Sequence, residues 1–124
     1  MEEKVRYEVV FYETAQGRCP VQDFLETLPV KARAKTAKWI QKLEEYGPDL
    51  PRPYADAVKG KIRELRIIFA SKHYRFLYFF HHRYIVITRG FIKKTDRIAE
   101  NEIEKAQNLM RDFEFRLSEG DIKI

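Results

Sequence analysis

The spacing of apolar residues divides the chain into stretches of two different periods. Residues 4–12 (KVRYEVVFY) are dense in β-branched and aromatic side chains and predict a first strand. Gln16-Gly17 and Pro20 then mark a loop. Residues 21–28 predict a short helix, and Pro29 is suited to opening a second one at its first turn. Over residues 30–46, Val30, Ala34, Ala37, Ile40 and Leu43 recur every three or four positions, the helical period. Gly47-Pro48 supplies the stop. The two helices together suggest an α-hairpin. Residues 48–58 carry three prolines and no period, which reads as a loop. That loop is either the border of a site or a plain connector.

The period then falls to two. Residues 61–70 place Leu65, Ile67 and Phe69 on one face and Glu64, Arg66 and Ile68 on the other. Ser71-Lys72-His73 forms a short turn. Residues 74–80 are apolar on both faces except for Arg75, as in a central strand covered on two sides. His81-His82-Arg83 turns the chain again, and residues 84–91 form a last strand. Such short connections predict an antiparallel meander. From residue 98 the helical period returns, with Ala99, Ile103, Ala106, Met110, Phe113 and Leu117 on one stripe. Thr95 or Asp96 is placed to cap this helix, Gly120 ends it, and residues 118–124 read as a flexible tail. The order β-α-α-β-β-β-α describes an α+β domain built on an antiparallel sheet with a mixed edge, packed by the α-hairpin and a C-terminal helix.

The length of 124 residues fits one domain, and 44% hydrophobic residues suffice for a core. The densest apolar run, residues 76–80, is far short of the roughly 20 residues a spanning helix requires, so no membrane segment is expected. The N-terminal Met-Glu-Glu-Lys lacks the layout of a secretion signal, and the single cysteine, Cys19, can form no internal disulfide. A reducing cytoplasm is the simplest compartment.

Net charge is only +5, but it is unevenly distributed. Residues 59–97 carry eleven cations against two anions, Glu64 and Asp96, so the remainder of the chain is net acidic. His73, His81 and His82 fall in the same stretch. Two readings fit. Exposed strands use Lys and Arg as edge protection. Grouped cations also bind polyanions by displacing counterions, and interleaved aromatics offer stacking surfaces to unpaired bases, although most of these aromatics belong to the core by their spacing.

Other chemistries find no support. There is no Gly-rich phosphate cradle, so no nucleotide cofactor is implied. Cys19 lies far in sequence from any histidine and reads as a spectator. The adjacent His81 and His82 point to opposite faces of a strand, a poor arrangement for a shared metal. Cations and aromatics on a sheet can bind RNA, or cut it without a metal. In the latter reaction the 2′-hydroxyl attacks its own phosphate. A base takes the proton, cations neutralise the phosphate, and an acid protonates the leaving oxygen.

Four segments in order, residues 61–66 (KIRELR), 74–79 (YRFLYF), 90–95 (GFIKKT) and 102–106 (EIEKA), resemble the phage-derived Gp49-like group of HigB toxins in the RelE/ParE toxin–antitoxin superfamily. The resemblance spans about residues 4–115 and implies a RelE-like fold. It implies one complete small toxin domain that cleaves mRNA on the translating ribosome, needs no cofactor, and is neutralised by a helix-turn-helix antitoxin. Carried over by motif, Arg75 is a phosphate or transition-state contact, Lys93 and Lys94 form the basic pair ending the last strand, and Arg66 belongs to the ELR motif. Lys61, Arg63, His73, Arg89 and Arg97 are expected to contact RNA. Arg66 alternatively pairs with a helix carboxylate. Arg75 stands alone in an apolar strand, where an uncompensated charge is costly. Better-known ribosome-dependent members carry lysines on the strand before ELR, where Ile62 and Glu64 stand here. The base is therefore left open among Glu64, His73, Lys93 and Lys94. ParE-type relatives share the fold and inhibit DNA gyrase by protein contact, and an inactive RNA-binding domain is the third alternative.

Overall fold

The structure, a computed structural model, describes residues 6–124. The start of the predicted first strand, at residues 4 and 5, lies outside the described residues. The elements are β1 (Glu8–Phe11), α1 (Pro20–Glu26), α2 (Val30–Tyr46), a 3₁₀ turn (Gly47–Asp49), β2 (Ala55–Lys59), β3 (Ile62–Phe69), β4 (Lys72–His81), β5 (Tyr84–Lys93) and α3 (Glu100–Ser118). They form one five-stranded sheet in the order β1-β5-β4-β3-β2. β1 runs parallel to β5 and the other pairs are antiparallel, which is the mixed edge expected of this α+β fold.

β2 corrects the sequence reading, which had a loop across residues 48–58. The prolines end at Pro53, and the ADAVK run beyond them pairs with β3, Asp56 facing Glu64. Proline density masked a strand too short to show a clear period. The meander turns are also tighter than expected. Ala70-Ser71 and His82-Arg83 join the strands in two residues, with φ of 49° and 67° at Ala70 and Ser71 and 52° at His82, as primed hairpin turns demand.

Helices cover both faces. On one face α1 and α2 bury Val21, Leu25, Ala32 and Leu43 against Leu65, Ile67, Tyr74, Phe76, Tyr78, Ile85 and Ile87. α2 shows the expected period but a rotated face. It buries Ala32, Thr36 and Leu43, while Val30 is 75% exposed and Ala34 and Ala37 also face solvent. Alanine fits either environment, so alanines could not orient the helix. On the other face α3 packs Ala106 and Phe113 on Ile62, Leu77, Phe79 and Val86. Neither Thr95 nor Asp96 caps α3. Its N-cap is Ala99, and the Thr95 hydroxyl donates instead to the Arg97 carbonyl at 2.6 Å. In the predicted tail, Ile122 packs on the α3-side cluster. Among the described residues no helix is long and apolar enough to cross a membrane.

A β-bulge shapes one end of the sheet. Ile87 pairs with Tyr78, but Arg89 pairs with Leu77, so Thr88 is an extra residue; its hydroxyl donates to the Leu77 carbonyl at 2.8 Å. One inserted residue inverts which face each later side chain meets. Gly90 therefore falls on the α1 face and Phe91 and Lys93 on the α3 face.

Two predictions follow from this packing. A Cβ at Gly90 would stand 2.6 Å from Phe24 and 2.7 Å from Phe76, two core rings. Gly90→Ala should cost about 1–3 kcal/mol by overpacking, read as a lower urea midpoint; an unchanged midpoint would contradict this contact. On the other face Tyr12 donates to Asp112, whose carboxylate also accepts from Arg116 Nε at 2.9 Å. The Tyr12 hydroxyl bond is the main influence holding the Asp112 carboxyl below its ordinary pKa, with Arg116 adding to it. A depressed carboxyl stabilises the fold above its unfolded pKa, about 3.9 for aspartate, and that contribution is lost as pH falls through the folded value. Asp112→Asn should thus be less stable than wild type at pH 7, with the gap closing below about pH 4. A gap constant from pH 7 to pH 2 would exclude this linkage.

Candidate functional site

α3 covers only part of its face of the sheet. Beyond its first turn, alternation along β3, β4 and β5 brings Arg66, Arg75, His73, Phe91 and Lys93 to the same uncovered end. Arg66 stands directly opposite Arg75, His73 opposite Lys93, and Arg75 opposite Phe91. Like charges facing one another across adjacent strands repel. Glu64, two residues before Arg66 on the same face, resolves the conflict.

The Glu64 side chain is 7% exposed and that of Arg75 only 6%. Glu64 Oε1 accepts from Arg66 Nε and lies 3.1 Å from Arg75 Nε. Asp56, brought in by β2, meets Arg66 at 3.3 Å and Arg52 at 3.0 Å. The result is a line of alternating charge, Arg52–Asp56–Arg66–Glu64–Arg75, with one cation in excess. Arg75 is thus compensated, contrary to the expectation from its apolar strand. Arg66 pairs with carboxylates, as one reading held, but they come from strands rather than a helix.

The Arg75 guanidinium is not fully used. Its Nε, though close to Glu64, has no hydrogen bond of good geometry, and one terminal nitrogen donates to the Tyr74 carbonyl at 3.2 Å. Burial pulls its pKa down, Glu64 pushes it back up, and neighbouring Arg66 lowers it again. Arginine keeps its proton under all these influences. Asp56 is held below its ordinary pKa chiefly by the Ala57 backbone N–H, which donates to it at 2.8 Å, with Arg52 assisting.

Of the residues singled out in the sequence, Arg66, Arg75 and His73 line one cleft, which also includes Lys35, Trp39, Pro53 and Tyr54. Lys93, half-buried, flanks His73 on the neighbouring strand. Lys94 is exposed just past the strand end and joins Lys93 and Arg97 along an adjoining groove at the start of α3. Three residues lie elsewhere. Lys61 sits at the β2–β3 turn, 3.5 Å from Glu114. Arg63 is on the opposite face, across from Tyr78. Arg89 is tied to Glu102 of α3 at 3.0 Å. Among the described residues no group of three or more His, Cys, Asp or Glu side chains could hold a metal ion.

A cleft of this kind can hold a phosphodiester. Guanidiniums present planar, bidentate donors, and an anion would take up the excess positive charge. The family model of the phage derived protein Gp49-like matches residues 23–111, most of the chain and all of these strands. The chain belongs to the Gp49-like family. No curated protein matches it. The Gp49-like region includes α2, every strand but β1, and most of α3. Asp56, Trp39 and Tyr54 were not singled out in the sequence. Asp56 and Tyr54 lay in the supposed loop. Trp39 is four residues from Lys35 on one helical face and is the chain's single tryptophan, which is the signal that could have marked it.

Removing one partner of a buried pair strands the other. Glu64→Gln should cost about 3–5 kcal/mol, measured by denaturant unfolding. Pairing it with Arg75→Met should recover part of that loss, because the stranded charge is gone. Strict additivity of the two changes would show that Glu64 and Arg75 are not coupled.

Proposed function

We propose that this protein is the toxin of a type II toxin–antitoxin pair of the HigB and RelE kind, an endoribonuclease that cleaves mRNA on the ribosome without a metal and so blocks translation. The supporting observation is the cleft in which Arg66 and Arg75 stand side by side with an exposed histidine at its mouth. The arginines receive the scissile phosphate, and their forks stabilise the extra charge that builds as the 2′-hydroxyl attacks. Donors held in place in this way are worth about 3–4 kcal/mol each in comparable oxyanion sites. Glu64 keeps the two guanidiniums together and aligned before substrate arrives. Lys93 adds charge beside the histidine.

His73 is the group best placed to move a proton. It is exposed, lines the same cleft as both arginines, and its imidazole has one nitrogen that can accept a proton and one that can donate. Glu64 is buried with Oε1 engaged by both arginines, so it positions rather than transfers. The RNA strand leaves the cleft along Lys93, Lys94 and Arg97. The partner that neutralises the toxin is a small helix-turn-helix antitoxin encoded beside it.

Induced expression should arrest growth and fragment mRNA. His73→Gln, at an exposed position, should reduce cleavage by about 10²–10⁴-fold, the usual worth of a general acid or base, with unfolding unchanged. Arg75→Lys should reduce it as well while retaining the charge beside Glu64. Intact mRNA under wild-type expression, together with blocked supercoiling by purified gyrase, would overturn the ribonuclease reading in favour of gyrase inhibition.

A further inference from the structure

The cleft holding Arg66, Arg75 and His73 continues into an apolar recess between α2 and the segment before β2. Cationic end and recess together enclose about 270 Å³, and the walls away from the arginines are Trp39, Pro53, Tyr54 and Ile68. That is near the lower bound of small-molecule sites, about 300 Å³, so the whole cleft suits a single nucleotide-sized unit rather than a longer segment. Trp39 and Tyr54 stack on each other with centroids 4.4 Å apart and planes 22° from parallel. The walls are fixed. Arg66 N–H donates to the Tyr54 carbonyl at 2.8 Å, and Lys35 Nζ donates to the Ile68 carbonyl at 2.5 Å, joining α2 to the end of β3.

Two large apolar side chains are nevertheless left in water here: Tyr54 is 41% exposed and Ile68 51%. Both border the cationic cleft. A bare phosphate would use the arginines and ignore the aromatic wall. An apolar peptide would use the wall and leave the excess positive charge of the Arg52–Arg75 line without an anion. A nucleotide unit of a single strand uses both, through its phosphate and the π-face of its base.

We infer that the recess receives one unpaired nucleobase of the RNA, next to the phosphate held by Arg66 and Arg75, with Tyr54 as its stacking platform. This rests on the ribonuclease reading for the identity of the substrate. Stacking reads the face of a base and not its edge, so the preference it creates is for the larger purine surface rather than for one letter.

Trp39, the only tryptophan in the chain, reports on the recess directly. The full-length protein is titrated with a short 2′-O-methyl oligoadenylate, which has no attacking hydroxyl, and with an abasic sugar–phosphate strand of equal length. The adenylate should quench Trp39 fluorescence, and the abasic strand should bind at least about tenfold more weakly without quenching. Tyr54→Leu should weaken adenylate binding by about tenfold to a hundredfold and leave the abasic strand unaffected, while Tyr54→Phe should behave as wild type. Equal affinity for the two strands, or wild-type adenylate binding by Tyr54→Leu, overturns the recess. RNA cleavage is scored separately. Quenching without any cleavage upholds the recess and sinks the ribonuclease reading, whereas cleavage with an unchanged KM in Tyr54→Leu does the reverse. No binding of either strand overturns both.

Discussion

Two guanidiniums face each other across β3 and β4, and the carboxylate of Glu64 is what allows them to stay there. Arg66 and Arg75 are directly opposed in register, the arrangement in which like charges are least favourable on a sheet. Glu64 meets both, and Asp56 continues the alternation to Arg52. This couples the site to the architecture. Asp56 reaches Arg66 only because β2 pairs in its observed register, and Glu64 lies buried in β3 between its register partners Asp56 and Leu77. Shifting β3 by one residue against β4 would turn Glu64 and Arg66 together to the other face and leave Arg75 without its carboxylate.

The rest of the site depends on where cover stops. α3 buries the half of its sheet face carrying Ile62, Leu77, Phe79 and Val86, and its first turn is pinned by Arg89 to Glu102. Beyond that contact the face is open. The bulge at Thr88 then decides which side chains occupy the opening. Without the extra residue, the alternation of β5 would carry Phe91 and Lys93 to the α1 side and leave Gly90 facing His73 and Arg75. The bulge thus serves packing and chemistry together: Gly90 admits Phe24 on one face, and Lys93 reaches His73 on the other.

The elements with strong periods were legible in the sequence. The β3–β4–β5 meander and α3 have alternation or stripes that physical reading recovers, and both chain-reversing turns were found within a residue or so. Three features were not, each for a reason. β2 is five residues long behind three prolines, so composition outweighed pattern. The face of α2 was misoriented because alanines carry little burial signal, and Thr36, which is buried, satisfies its hydroxyl by donating to the Ala32 carbonyl at 2.9 Å. The bulge rests on a single threonine with no sequence mark. Motif order singled out Arg66, Arg75 and Lys93, which folding brings to one end of the sheet, but charge counting alone could not separate them from Lys61, Arg63 and Arg89, which folding sends to a far turn, to the opposite face and to a pairing with α3.

The energetics of Arg75 point beyond a structural role. A buried ion pair is weak evidence for stability, since well-packed apolar residues of similar volume often do as well or better. A central strand otherwise apolar from Tyr74 to Phe79 would accept a leucine at position 75 if an apolar residue also replaced Glu64. The chain instead retains a desolvated cation, a carboxylate that only partly engages it, and a net excess of one positive charge along the line from Arg52 to Arg75. The burial of the cation and the excess positive charge are both unfavourable by themselves, and an anion that accepts from the guanidinium donors offsets both. The same geometry explains why arginine rather than lysine stands at both positions: a fork can hold Glu64 with one edge and keep further donors for a ligand, which a single ammonium on a flexible stem does less well.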